Sequence, residues 1–200
     1  MSIKLKFGNH KLGDDTCIFN MGCAKDCPSK ALGLCEVVNK GITCYAEKAE
    51  NQYKEPTINY RKEQEKYWKS QDAITIAQEI LNKIKNRRKE TRFVRFNESG
   101  DFWGQEDVAK LSAVAEHIKH YRDDITIYGY TARSDLDFSK AKFLVKGSYH
   151  DKANNGKCIV IGKNESVPEG FIECPGGEQG CARCNLCKID RKHNIAFRKH

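Results

Sequence analysis

Arg92-Phe93-Val94-Arg95-Phe96, then Asn97-Glu98-Ser99-Gly100-Asp101, then Gln105 to Tyr121: the hydrophobic period changes inside this stretch, and the change sets the fold class. The first five residues, rich in Phe and Val, read as a strand, and the polar run after them reads as its end. From Gln105 the apolar residues recur at helical spacing: Val108, Leu111, Val114, Ala115 and Ile118 share one face. Glu106 and Asp107 stand in the first turn, where the positive end of the helix dipole favours carboxylates. Ile125 to Tyr130 reads as the next strand, and Phe143-Leu144-Val145 and Cys158-Ile159-Val160-Ile161 as two more. Strand, helix and strand in alternation predict an α/β fold with parallel strands. At 200 residues the chain is short for an eight-unit barrel of about 250, so the expectation is a partial (β/α) barrel or an open, mostly parallel sheet.

Working outward, a helix starts near Cys44, runs through Glu50 and is limited by Pro56. A long helical stretch follows from about Tyr60 to Arg88, with Ile74, Ala77, Ile80, Leu81 and Ile84 on one face. Residues 8–43 are rich in Gly, Asn, Asp and Cys and read as an irregular loop. The chain reads as one domain over 1–200: a Cys-rich cluster-binding loop at 1–44, an α/β body at 45–165, and a second Cys-rich segment with a basic tail at 166–200.

Nine of the ten cysteines fall in two clumps, and Cys158 lies outside both. Cys17, Cys23, Cys27, Cys35 and Cys44 form the first; Cys174, Cys181, Cys184 and Cys187 form the second. Clustered thiols in a chain without a secretory leader point to metal rather than disulfides. Cys181, Cys184 and Cys187 are spaced by two residues, so a turn can aim successive sulfurs at one centre. Stacked triplets of this kind favour iron–sulfur over zinc, and zinc stays as the alternative. At the other end Cys27, Cys35 and Cys44 would leave a fourth iron site open, and Cys23 would close it. Cys17 and Cys158 have apolar neighbours and read as core.

Ligands of such sheets sit beyond the carboxyl ends of the strands. The polar residues there are Asn97, Glu98, Ser99 and Asp101 after one strand, Thr131, Arg133, Ser134 and Asp135 after the next, and Ser148, Tyr149, His150 and Asp151 after the third. The first two groups are read as ligand-facing, with Asn97, Glu98, Ser99, Asp101, Thr131 and Arg133 as the cofactor-binding set.

The formal charge is +8, and half of it lies in the last thirteen residues, where Lys188, Arg191, Lys192, Arg198 and Lys199 face only Asp190. The plain reading is a solvated basic end; a basic surface also pairs with nucleic acid, and lysines near thiolates offset their charge. The charged face of the 60–88 helix reads as a second place for a nucleic acid or a host protein or, since it also holds Glu63, Glu65 and Glu79, equally as an ordinary solvated face. No apolar run approaches the roughly 20 residues that cross a bilayer, so the expectation is a cytoplasmic protein without a membrane partner. His10, His117, His120, His150, His193 and His200 are scattered, without a His-Glu-x-x-His motif, which sets hydrolytic zinc chemistry aside.

Two resemblances follow from these residues. Thr16-Cys17-Ile18-Phe19-Asn20-Met21-Gly22-Cys23-Ala24-Lys25-Asp26-Cys27, Gly33-Leu34-Cys35, Cys44-Tyr45-Ala46-Glu47, Arg95 to Phe102, Tyr128 to Ser134 and the C-terminal cysteines resemble the phage gene 88 product family. That resemblance implies a phage, prophage or host setting, hence the cytoplasm of a host cell. More distantly, the order of parts is similar to that of radical S-adenosylmethionine enzymes. Those proteins carry three cluster cysteines before the first barrel helix, a motif at the end of the second strand that receives the cofactor's amino group, and in many cases an auxiliary cluster near the C-terminus. The resemblance implies [4Fe-4S] clusters and S-adenosylmethionine here, with Asn97 to Asp101 on the cofactor. The usual Cys-x-x-x-Cys-x-x-Cys spacing is absent; only Cys23 and Cys27 match its first half.

Overall fold

The computed structural model describes residues 2–9, 11–176, 180–189 and 192–199. His10, His200, Asp190, Arg191 and residues 177–179 of the second cysteine segment lie outside the described residues. In chain order the elements are β1 (Lys6–Phe7), β2 (Thr16–Phe19), α1 (Pro28–Ala31), α2 (Glu36–Asn39), α3 (Tyr45–Ser70), α4 (Ala73–Lys85), β3 (Phe93–Phe96), α5 (Gln105–Tyr121), β4 (Thr126–Thr131), β5 (Leu144–Ser148), β6 (Lys157–Ile161), β7 (Phe171–Glu173), α6 (Gly180–Arg183) and β8 (Asn194–Arg198).

The strands form one open sheet in the order β1-β2-β3-β4-β5-β6-β8-β7. Only β1 and β2 pair antiparallel; every other neighbouring pair is parallel. The expected α/β class and the open, mostly parallel sheet are both present. The register aligns Ile18, Arg95 and Tyr128 across β2, β3 and β4, and Tyr130 with Lys146 across β4 and β5. Because side chains alternate along a strand, Cys17, Phe19, Val94, Phe96, Ile127 and Val145 point to the other face. These residues share the main core with Tyr67 and Trp68 of α3, Ile76, Ala77 and Ile80 of α4, and Val108, Leu111 and Val114 of α5. Phe19, Phe96 and Trp68 meet with ring centroids 5.5–6.2 Å apart. The Trp68 indole N–H also donates to Asp107 at 2.8 Å, tying α3 to α5.

The opposite face carries Arg95, Tyr128, Tyr130, Lys146 and Cys158, and the C-terminal segment lies over it. Lys188 sits 4.2 Å over the Phe93 ring, and Phe197 packs edge-on to Tyr130.

Three expectations change. The long helix from Tyr60 to Arg88 is two helices. α3 ends at Ser70, and Asp72 caps α4 by accepting from the Thr75 N–H at 2.9 Å. α3 in turn breaks at Lys54 (φ 49°, ψ −138°), two residues before Pro56, whose ring and missing N–H disrupt the turn before it. The irregular loop at 8–43 contains β2, which is buried on both faces and so lacks the alternation that marks a strand. The basic tail is not a solvated end. β8 lies between β6 and β7, with Ile195 and Ala196 buried and Arg198 held by Glu173 at 2.8 Å. Among the described residues, no helix is long and apolar enough to cross a membrane.

Candidate functional site

Since β2 to β5 run parallel, the segments after each strand gather on one rim. There the loop at 20–44 meets the turns at 97–101, 131–135 and 148–150. The loop is anchored at its start. Asn20 accepts from the Ser99 N–H at 2.8 Å and donates to Gln64 at 3.0 Å. The Ala24 N–H donates to Glu50 at 2.7 Å, and Glu50 pairs with Arg61 at 2.6 Å, both side chains being about 5% exposed. Gly100 (φ 76°) lies so close to Gly22 that a Cβ on it would stand 2.7 Å from the Gly22 nitrogen.

Asp101 is the hub of the rim. Its oxygens accept from Ser29 Oγ at 2.6 Å, Thr131 Oγ1 at 2.7 Å, Ala132 N–H at 2.8 Å and its neighbour Phe102 N–H at 2.9 Å. One side chain thus joins α1 to the ends of β3 and β4. Burial pushes its carboxyl up from the ordinary range, and the four donors work against that shift.

Cys27, Cys35 and Cys44 each stand immediately before a helix, as the N-caps of α1, α2 and α3. The N–H groups of Ser29 and Lys30 point at the Cys27 sulfur, and those of Val37 and Val38 at Cys35, without closing to full side-chain caps. The structure brings the three together. Cys44 and Asp101 both act electrostatically on Cys27 and on Cys35. Burial pushes Cys27 up to about 12 and raises Cys35 as well, with the Asp101 charge adding to both. Cys23 is placed differently: its thiol is buried and donates to Asp26 at 3.2 Å. Among the described residues, no three His, Cys, Asp or Glu side chains are already close enough to hold one metal ion.

The remaining rim residues divide in two. Thr131 and Arg133 are committed to the fold. Thr131 bridges Asp101 and the Arg133 N–H, and the Arg133 guanidinium donates to the carbonyls of Phe102 and Trp103 and to both oxygens of Asp135. Glu98 accepts from Asn9 at 2.6 Å. By contrast, the Asn97 amide (both polar atoms) and the Ser99 hydroxyl are buried without a partner among the described residues. Asn97 also has φ 56°, a left-handed conformation that its short polar side chain tolerates. An orphaned buried polar group costs about 1–3 kcal/mol, so these two residues mark where a polar ligand would be compensated.

Beside α2 the rim opens into a cleft of about 390 Å³ bordered by Glu36, Lys40, Ser134, Ser148, Tyr149 and His150. Burial lowers the His150 pKa, and its Nε2 lies 3.1 Å from the Thr131 carbonyl.

The second cysteine group lies on the side of the sheet opposite α3, α4 and α5. Cys181, Cys184 and Cys187 share an electrostatic neighbourhood with Cys174. Burial raises Cys187 to about 11, the Tyr130 hydroxyl acting against it. Sequence reasoning missed Arg95 and Lys146, which face this group. A lysine between Val145 and Gly147 in an apolar strand was a signal, but only the register shows which side it takes.

The family model described as Gene product 88 matches residues 3–146. The match spans Cys23, Cys27, Cys35, Cys44 and the rim motifs after β3 and β4, and stops before the C-terminal cysteines. No curated protein and no solved structure matches the chain.

Proposed function

The chain belongs to the Gene product 88 family, and from that premise we propose that it is an iron–sulfur protein. In this reading Cys27, Cys35 and Cys44 hold a cluster on the rim, with a small-molecule cofactor of S-adenosylmethionine type against Asn97, Glu98 and Ser99. The observation that carries the reading is the convergence of three cysteines from three successive helix starts on the rim where β3 ends. Soft thiolates in this number are suited to iron or zinc. Asn97 and Ser99 add unsatisfied polar atoms at the same rim. The sheet supports the finer fold reading too: β2, β3, β4, β5 and β6 follow one another in space as in sequence, the order of a barrel left open.

When bound, such a cluster supplies an electron and one coordination position free of protein sulfur. The chain's own residues do the rest. Asp101, through Ser29, Thr131 and Ala132, holds the cysteine loop against the two strand ends. Arg133 locks the turn after β4. The place of action under this reading is the cytoplasm of a host cell.

The test is anaerobic reconstitution with iron and sulfide, then incubation with S-adenosylmethionine and a one-electron reductant. Release of 5′-deoxyadenosine, lost in the Asn97→Ala variant, supports the reading; no release from protein with intact clusters overturns it.

A second reading has its own observation. Lys62, Lys66 and Lys69 line an open groove of about 530 Å³ on α3, together with Asp26 and Glu65. Here the metals, iron–sulfur or zinc, hold the fold and this face meets nucleic acid or a host protein. Phosphate-driven binding would weaken steeply as salt rises; binding indifferent to salt counts against a nucleic acid.

A further inference from the structure

Three cations on the face of the sheet opposite α3, α4 and α5 have no carboxylate partner among the described residues. Lys146 of β5 is 1% exposed, and its ammonium donates only to the Asn155 and His193 carbonyls, each at 2.6 Å. Lys188 is 3% exposed and donates to the Cys181 carbonyl at 2.9 Å. Arg95 of β3 has a buried Nε without a partner, its guanidinium 5.2 Å from the Tyr130 ring centroid. Among the described residues, no carboxylate oxygen comes within 4.0 Å of a charged nitrogen of any of the three. Asp15 acts on Lys188 and Glu98 on Arg95 from beyond ion-pair distance, and they bond instead to Arg92 and Asn9. Charges taken out of water without a counter-ion are costly. Sulfur lies beside all three. Cys187 and Cys158 act on Lys146, Cys181 acts on Arg95, and Cys181 and Cys184 act on Lys188. Lys11 stands near Cys174. The N-terminal trio has the opposite setting, with the Asp101 carboxylate beside it.

We propose that Arg95, Lys146 and Lys188 are the counter-charges of an anionic four-thiolate metal centre on Cys174, Cys181, Cys184 and Cys187. The inference rests on the reading that these cysteines bind metal, and it assigns the cations a use. Bound metal would take the four sulfurs as thiolates, their protons going to solvent, and the resulting anion would supply the counter-charge that these buried cations lack among the described residues. Zinc and a four-iron cluster share this chemistry, since either leaves net negative charge on four thiolates. Lys146 and Arg95 come from the sheet, so the centre would sit against rigid strands although its ligands come from a loop. Cys158, at 6% exposure in β6, stays a core thiol beside Lys146.

The test uses the full chain loaded anaerobically, in one arm with iron and sulfide and in the other with zinc. Metal per chain is counted along a chelator titration for wild type, Lys146→Met, Arg95→Leu, and Lys142→Met, an exposed lysine elsewhere. The C-terminal share of the metal should leave Lys146→Met and Arg95→Leu at a chelator concentration at least ~10-fold lower, the scale on which groups around the ligands tune affinity. Lys142→Met should match wild type. Lys146→Arg, which keeps the charge, should recover most of the loss, whereas a side chain that only caps two carbonyls would not discriminate in this way. Equal chelator resistance in wild type, Lys146→Met and Arg95→Leu overturns the inference while leaving metal binding intact. If Lys146→Met does not fold, Arg95→Leu at its half-buried site decides alone. A chain that takes up neither metal overturns this inference together with the reading beneath it.

Discussion

Replacing Asp101 with Asn changes one oxygen to an NH₂ and leaves the shape of the side chain nearly untouched. The structure gives each Asp101 oxygen one hydroxyl donor and one backbone N–H donor: Thr131 and Phe102 on Oδ1, Ser29 and Ala132 on Oδ2. Hydroxyls can rotate and accept; backbone N–H groups cannot. Whichever way the Asn amide turns, one backbone N–H faces another donor. The loss is one hydrogen bond to a charged acceptor, about 1.5–3 kcal/mol, plus a buried N–H left unpaired, about 1–3 kcal/mol. The expected cost is therefore about 2.5–6 kcal/mol, read from urea midpoints at unchanged slope. For a chain of this size it corresponds to a fall in Tm of about 5–24 °C. A cost under about 1 kcal/mol would refute the four-donor hub.

Gly100→Ala should cost about 2–4 kcal/mol. It forces a left-handed φ on Ala and drives a Cβ into the Gly22 backbone, which has no flexible end to move; the 20–24 segment would shift and metal content should fall with it. Wild-type stability and metal content would contradict the close approach. The alkaline limb of stability should report Cys17. Burial raises its thiol from 9.0 to about 12, so the folded chain keeps a proton that the unfolded chain loses. Its contribution is fully present below pH 9 and is lost as pH rises toward 12, at about 1.4 kcal/mol per pH unit. Metal-free Cys17→Ala should therefore lose stability less steeply than wild type between pH 9 and 10.5; equal slopes in urea melts would count against the assignment.

The middle of the fold was legible because its signals are local. α5 has an acidic first turn and a five-residue apolar stripe, and its observed bounds match the periodicity end for end. β3 and β4 were visible as short apolar runs closed by polar turns. β2 was hidden because a strand buried on both faces loses its alternation, and β8 because Arg198 and Lys199 made the tail look solvated. The break between α3 and α4 was masked by a helical period that continues across it, although Asp72 followed by Thr75 spelled a cap. Within the site, side-chain chemistry alone singled out the cysteine trio as candidate ligands, whereas the contrast between Asn97, orphaned among the described residues, and Arg133, bound on all sides, needed the tertiary structure. The three-cation arrangement was legible only in part. Lys188 stood among charges that could offset thiolates, but the sheet register was needed to add Arg95 and Lys146.

Iron, acid-labile sulfide and zinc counted per chain on oxygen-free protein, with electron paramagnetic resonance spectra of the same samples, test the metal reading most directly. The account predicts brown protein carrying iron and sulfide. Cys27→Ala, Cys35→Ala and Cys44→Ala should each remove one share of it, and Cys181→Ala and Cys187→Ala the other. Colourless protein free of both metals, or one whose content is indifferent to all five substitutions, would contradict it.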